Sequence, residues 1–247
     1  MPADTILILG GTAEAGALAG ELAAARPNLR VITSLAGRTA APSLPVGEVR
    51  IGGFGGADGL AAYLKEEGVT RLIDATHPFA AGISRNAEKA AAAAAVPRLC
   101  LVRAPWMPVA GDLWTEVDCI GTARDALPGN ARPFLALGRQ HLSPFARRAD
   151  LAPVVRMIDP PDPPLTFRAD LVLGKPSREP AEEAALFTHL GVTHLVCRNS
   201  GGGASYAKIE AARMLGLPVI VIARPPAPAG PTVADLAAAI AWAAGTA

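Results

Sequence analysis

Apolar residues along this 247-residue chain gather in short unbroken runs rather than alternating with polar ones. Ile6 to Leu9 are consecutive branched aliphatics, the signature of a strand buried on both faces in a parallel sheet. Similar runs recur at Arg30–Thr33, Thr70–Asp74 and Arg98–Val102, with a shorter one at Glu48–Ile51. Between them lie segments of helical composition: Ala13–Ala25, Gly59–Glu67 behind an N-capping Asp58, and Ala80 to about Ala95, closed by Pro97. Strand alternating with helix at this pace predicts a doubly wound parallel sheet.

The irregular stretch Arg103–Pro108 breaks the pattern, and a second series follows. Its expected strands lie near Trp114–Val117, Pro133–Leu137, Pro153–Arg156, Leu171–Leu173, His194–Arg198 and Val219–Ile222. Its expected helices cover Gly121–Leu127, Pro180–Leu190, Ser205–Leu215 and Val233–Ala244. Asp159–Pro164 and Arg224–Pro231 read as stiff proline-rich connectors. The whole predicts an α/β protein of two doubly wound, Rossmann-like parallel-sheet domains, 1–105 for the cofactor and 106–247 for the substrate. A cleft between two such domains is where cofactor and substrate are expected to meet.

Ligands of doubly wound sheets sit at the carboxyl ends of the strands. After the first strand the chain turns through Gly10 and Gly11 into a helix, so backbone N–H groups and the helix dipole face an anion. From Gly11 the spacing Gly11-x-Ala13-x-x-Gly16 is the dinucleotide fingerprint with alanine at its middle glycine. Gly10, Gly11, Thr12, Ala13 and Glu14 are therefore candidate cofactor contacts; a plain strand-to-helix turn is the alternative. The second strand is followed by no acid that could hold an adenosine ribose, because none occurs between Glu21 and Glu48. Ser34, Gly37 and Arg38 stand there instead, and a hydroxyl, a flexible glycine and a guanidinium suit a 2′-phosphate. This favours NADP(H) over NAD(H), against the reading of Arg38 as an ordinary surface arginine. Gly53, Thr76 and His77 occupy the next two strand-end loops and complete the cofactor set.

The second series has its own glycine turn, Asn199-Ser-Gly-Gly-Gly203, again between an apolar strand and a helix. It is either a second backbone anion nest or a flexible connection. Tyr206 and Lys208 stand two residues apart, whereas the tyrosine–lysine pair of short-chain dehydrogenases needs a spacing of four to share a helix face.

Composition narrows the function. A formal net charge of +1 and 4% aromatic residues argue against nucleic acid. No uncharged apolar stretch reaches the ~20 residues that span a bilayer, and no basic-then-apolar leader is present. Cys100, Cys119 and Cys197 are far apart, lack metal spacing and suit a reducing cytoplasm. His141, His189 and His194 show no metal spacing either and read as structural, so no metal is expected.

Ile8–Glu14, Ser34–Arg38, Asp74–Ala80, Asn199–Lys208 and Gly216–Pro225, in this order, resemble the precorrin-6A reductases of cobalamin biosynthesis along essentially the whole chain. The resemblance implies a two-domain reductase that transfers hydride from NADPH to a macrocyclic double bond of precorrin-6A, giving precorrin-6B. The cobalt-containing substrate of the anaerobic branch is a related alternative, and hand-over of product to the next pathway enzyme is implied. Hydride addition needs a positioned nicotinamide and a proton for the second atom. His77 is the first candidate acid; otherwise it caps the following helix or touches the cofactor without titrating. Tyr206 and Lys208 are weaker catalytic candidates that could instead orient a substrate carboxylate, and water is a further proton source. Asn199, Ser200, Gly201, Gly202, Tyr206 and Lys208 form the implied substrate side. Arg85, Lys89, Arg139, Lys175, Arg178, Arg198, Lys208 and Arg213 form a cationic group, a few of which should meet acetate and propionate arms. A small-sugar isomerase or dehydrogenase and a non-catalytic NADP(H)-binding redox sensor compete, but neither accounts for the whole-chain resemblance.

Overall fold

The computed structural model describes residues 4–37 and 44–245; Arg38 lies outside them. The first series of elements is β1 (Thr5–Leu9), α1 (Ala13–Ala25), β2 (Arg30–Leu35), β3 (Glu48–Ile51), α2 (Ala57–Glu66), β4 (Arg71–Asp74), α3 (Ala81–Ala94) and β5 (Arg98–Leu101). The second is β6 (Leu113–Val117), α4 (Ile120–Asp125), β7 (Pro133–Ala136), β8 (Val154–Met157), β9 (Asp170–Leu173), α5 (Pro180–His189), β10 (His194–Arg198), α6 (Ala207–Met214) and β11 (Pro218–Ile222). The chain ends with β12 (Thr232–Val233) and α7 (Leu236–Ala244). Pro105–Arg224 form one compact unit; the residues up to Ala104 and those from Pro225 form the other.

In the first unit the strand order is β12-β5-β4-β1-β2-β3, and every neighbouring pair is parallel. The winding direction changes between β1 and β4, the switch point at which such sheets bind ligands. Leu9 pairs with both Ser34 and Asp74, so the turns after β1 and β4 leave the sheet at one level. β1 is buried on both faces, which explains its unbroken apolar run. Ile6 and Ile8 pack with Leu18, Leu22, Ile73 and Ala239. Leu7 and Leu9 pack with Leu60, Leu64, Ala87 and Ala90 on the other side. Each such side chain contributes about 1.5–3 kcal/mol by leaving water.

The domain expected at 106–247 ends at Arg224 instead. The chain returns, pairs Thr232 with Cys100 along the β5 edge, and lays α7 into the core cluster of β1 and α1. The reason is burial: α7 is almost wholly apolar, and the α1 face of the sheet needs a cover. Asp235 caps α7 by accepting from the Ala238 N–H at 2.8 Å, so Val233 belongs to a strand and not to the helix expected there. Likewise α2 starts at Ala57 with Gly56 at its N-cap, which puts Asp58 in the first turn rather than at the cap. β2 runs on through Leu35, one step past the Ser34 expected to follow it.

The second sheet has the order β6-β11-β10-β7-β8-β9, again with every pair parallel. Counted from β7, it repeats the winding of the first sheet, with its switch point between β7 and β10. The outer place filled in the first sheet by β12 is filled here by β6. One difference has chemical weight: β1 leads into an α-helix, whereas β7 leads into two short 3-10 turns, Arg139–His141 and Ser143–Arg147. The core centres on Phe134 and Phe187, with ring centroids 4.8 Å apart, and on Leu195, Ile209 and Val221.

Candidate functional site

At the switch point of the first sheet, Gly10 and Gly11 serve different needs. A β-carbon on Gly10 would lie 2.9 Å from Cγ2 of Thr33, whereas Gly11 has a φ of +101° and would meet nothing within 4 Å. Gly10 thus lets β1 and β2 close up, and Gly11 provides a left-handed turn that opens outward. The Thr12 hydroxyl accepts from the Ala15 N–H at 3.1 Å and donates to the Ala75 carbonyl at 2.8 Å. One side chain therefore caps α1 and ties together the two turns flanking the switch point. The first N–H groups of a helix have no intrahelical partner, so those of Ala13 and Glu14 remain for a ligand. An open turn at the amino end of a 13-residue helix fits a dinucleotide pyrophosphate.

The opposite wall is the turn after β4. Asp74 is 3% exposed; its Oδ1 accepts from the N–H and hydroxyl of Thr76, at 3.1 and 2.7 Å. Asp74 Oδ2 is buried without a hydrogen-bond partner. His77 Nδ1 accepts from the Phe79 N–H at 3.2 Å, which leaves the ring hydrogen on Nε2. This bond lies within the turn before α3, whose N-cap, Ala80, has no side-chain cap. Glu14 forms an ion pair with Arg103 at 2.7 Å, and Thr12, Ala75, Thr76 and Pro78 line the same crevice. The Glu14 carboxylate is thus engaged by Arg103.

At the β2–β3 edge, Ser34 is buried within β2 and pairs in register with Arg50. The Arg50 guanidinium lies 3.8 Å above the Phe54 ring and donates to the carbonyls of Gly52 and Gly53, at 2.6 and 2.7 Å. Gly37, with a φ of +67°, leaves the strand beside Ile51. Arg50 carries no local sequence signal, because only the register of β2 and β3 places it across from Ser34.

In the second unit the glycine turn is held tightly. Asn199, 4% exposed, accepts from the Trp106 N–H at 2.8 Å and donates to the Trp106 carbonyl at 2.9 Å. Trp106 Nε1 donates to the Gly202 carbonyl at 2.7 Å. Arg224 donates to the carbonyls of Asn199 and Ser200, at 2.8 and 2.9 Å. Gly201 and Gly202 both have positive φ, 66° and 68°, a conformation that glycine adopts without strain. The Tyr206 hydroxyl accepts from Arg213, which is paired with Asp112. Lys208 is buried, its ammonium 4.7 Å from the Trp106 ring centre and bonded to the Ser205 carbonyl. The side chains of Asn199, Tyr206 and Lys208 thus frame the turn, and Ser200, Gly201 and Gly202 form it. Trp106 and Arg224, which hold it from both ends of the unit, carry no local sequence signal.

Among the described residues no group of three or more His, Cys, Asp or Glu could hold a metal ion, and no helix is long and apolar enough to cross a membrane. A profile of the family described as "Precorrin-6x reductase CbiJ/CobK" matches residues 5–244. The precorrin-6A reductase of Rhodococcus erythropolis is 48% identical over 239 residues, 96% of each chain. A solved structure, "CobK precorrin-6A reductase", is 43% identical with a TM-score of 0.92, covering 98% of this chain and 97% of its own. The cobalt-precorrin-6A reductase of Priestia megaterium is 31% identical, over 89% of this chain and 90% of its own. By a match along nearly its full length, in sequence and in fold alike, this chain belongs to the precorrin-6x reductase family.

Proposed function

We infer that this chain reduces precorrin-6A to precorrin-6B with NADPH. The observation that carries the reading is the 48% identity to a precorrin-6A reductase over 96% of both chains. Identity to the cobalt-precorrin enzyme of Priestia megaterium is 31%, which favours the metal-free macrocycle.

Bound NADPH supplies the hydride for one carbon of the double bond. Gly11, Thr12, Ala13 and Glu14 hold the pyrophosphate through backbone N–H groups; Gly10, whose own N–H donates to the Ser34 carbonyl at 2.9 Å, lets the turn close beneath it, with Gly53 and Thr76 on the flanking loops. Ser34, Gly37 and Arg38 take the 2′-phosphate, where the sequence has no ribose-binding acid. His77, with Nδ1 occupied by Phe79, acts through Nε2–H as a donor that orients its ligand. Full protonation would cost it the Phe79 contact, so solvent is the simpler proton source. Asn199, Ser200, Gly201, Gly202, Tyr206 and Lys208 serve the macrocycle, which meets the backbone of the turn while Asn199 and Lys208 keep it in shape.

The test is a fluorescence titration with NADPH and with NADH, followed by anaerobic incubation with precorrin-6A and with its cobalt form. NADPH-selective binding and oxidation dependent on the metal-free macrocycle are expected. Binding without oxidation would overturn the catalytic reading, and faster turnover of the cobalt form would overturn the substrate assignment.

A further inference from the structure

The sheet of the first unit consists of two halves, β1-β2-β3 and β4-β5-β12, which meet at the switch point. A dinucleotide lies across such a point with one nucleotide on each half. With the adenosine beside Ser34 at the end of β2, the nicotinamide nucleotide falls to the turn after β4. The hydroxyl of that turn is Thr76.

Its direction is fixed. The Thr76 N–H donates to Asp74 Oδ1 at 3.1 Å, which marks that oxygen as an acceptor. The hydroxyl, 2.7 Å from the same oxygen, must then give it its only hydrogen. Anything else that Thr76 Oγ1 meets has to donate. Asp74 is 3% exposed, and its Oδ2 is buried without a partner. Closing the turn takes one oxygen, so the second burdens the fold without helping it. An asparagine could present either end of its amide to Thr76, whereas both ends of an ionised carboxylate accept.

Thr76 lines its crevice together with Thr12, Glu14, Pro78 and Leu101. Thr12 already donates to Ala75 and accepts from Ala15, and Glu14 is paired with Arg103. The wall thus joins apolar surface to one acceptor of set direction. On a nicotinamide nucleotide, phosphate oxygens accept. Ribose hydroxyls donate and accept alike, and gain nothing from a partner of fixed direction. The carboxamide NH2 only donates.

We propose that Thr76, held as an acceptor by Asp74, takes the carboxamide NH2 of the nicotinamide, with Asp74 as a positioning residue. The proposal rests on the reading that the cofactor is NADPH. Anchoring the carboxamide sets the rotation of the ring about its glycosidic bond, and with it the face from which hydride leaves.

The experiment is a calorimetric titration with NADP⁺ and with its 3-acetylpyridine analogue, in which a methyl group replaces the carboxamide NH2. It compares the parent with Thr76→Val, Thr76→Ser and Asp74→Ala, with thermal melts alongside. The parent binds NADP⁺ about 2- to 10-fold more tightly than the analogue, the worth of one hydrogen bond. Thr76→Val weakens NADP⁺ by that factor and leaves the analogue unchanged, so the ratio falls to about one; Thr76→Ser restores it. Asp74→Ala frees the hydroxyl to turn and lowers the ratio as well. A merely structural role would weaken both ligands alike and keep the ratio. Where Asp74→Ala does not fold, the two Thr76 variants decide. A parent that does not bind NADP⁺ overturns the cofactor reading, and the proposal with it. A parent that binds NADP⁺ and the analogue equally, or a ratio that survives Thr76→Val, overturns the proposal alone. A ratio that survives Asp74→Ala overturns the role of Asp74.

Discussion

Asn199 and Trp106 grip each other through two hydrogen bonds of opposite direction, 2.8 and 2.9 Å long, so that one side-chain amide does the work of a β-bridge. Both partners are buried, and a buried backbone group without a partner costs about 1–3 kcal/mol. Asn199→Ala orphans the N–H and the carbonyl of Trp106 together and should lower stability by about that amount for each. Urea unfolding would register it as a lower midpoint with an unchanged slope. A midpoint equal to the parent's would mean that another contact holds Trp106.

Thr12 joins the helix cap to the turn after β4. Thr12→Val keeps the shape and loses both hydrogen bonds, so α1 loses its cap, worth about 1 kcal/mol. NADPH affinity should fall severalfold, because the two turns are no longer tied, and Thr12→Ser should restore it. Equal affinities for all three proteins would show that the tie has no part in binding.

Arg156 and Glu183 form a buried ion pair at 2.7 Å, and Glu183 also accepts from the Ser177 N–H at 2.9 Å. Arg156→Met should destabilise by about 3–5 kcal/mol, because it leaves a buried carboxylate uncompensated. Adding Glu183→Leu should recover much of the loss. A double variant as unstable as the single one would place the cost in packing, not in charge.

Asp4 sits where β1 begins, against Thr70, Arg71 and Arg26. Burial pushes its carboxyl up, but the Thr70 hydrogen bond and the charges of Arg71 and Arg26 together hold it below its ordinary value near 3.8. A carboxyl lowered by folding stabilises the fold above its unfolded value, and that stability is lost as pH falls through its folded value. Asp4→Asn should therefore be less stable than the parent at neutral pH, by about 1 kcal/mol for a partly exposed pair. The two melting curves should converge in acid. A gap that stayed constant with pH would assign the effect to shape.

Read alone, the chain disclosed β1 and its turn because that signal is local: a run of branched aliphatics, two glycines and a segment of helical composition follow one another directly. The same holds for the strands of the second sheet and for the Asn199–Gly203 turn. What the tertiary structure decided involves partners remote in sequence. Trp106 and Asn199 are separated by 93 positions, Arg103 and Glu14 by 89, and Thr232 and Cys100 meet only because the chain returns to the first sheet. No periodicity encodes such meetings. They follow from which apolar faces were left uncovered and which buried polar groups still lacked a partner. So α7 joined the first unit, and Asn199 and Lys208 turned to support their own loop.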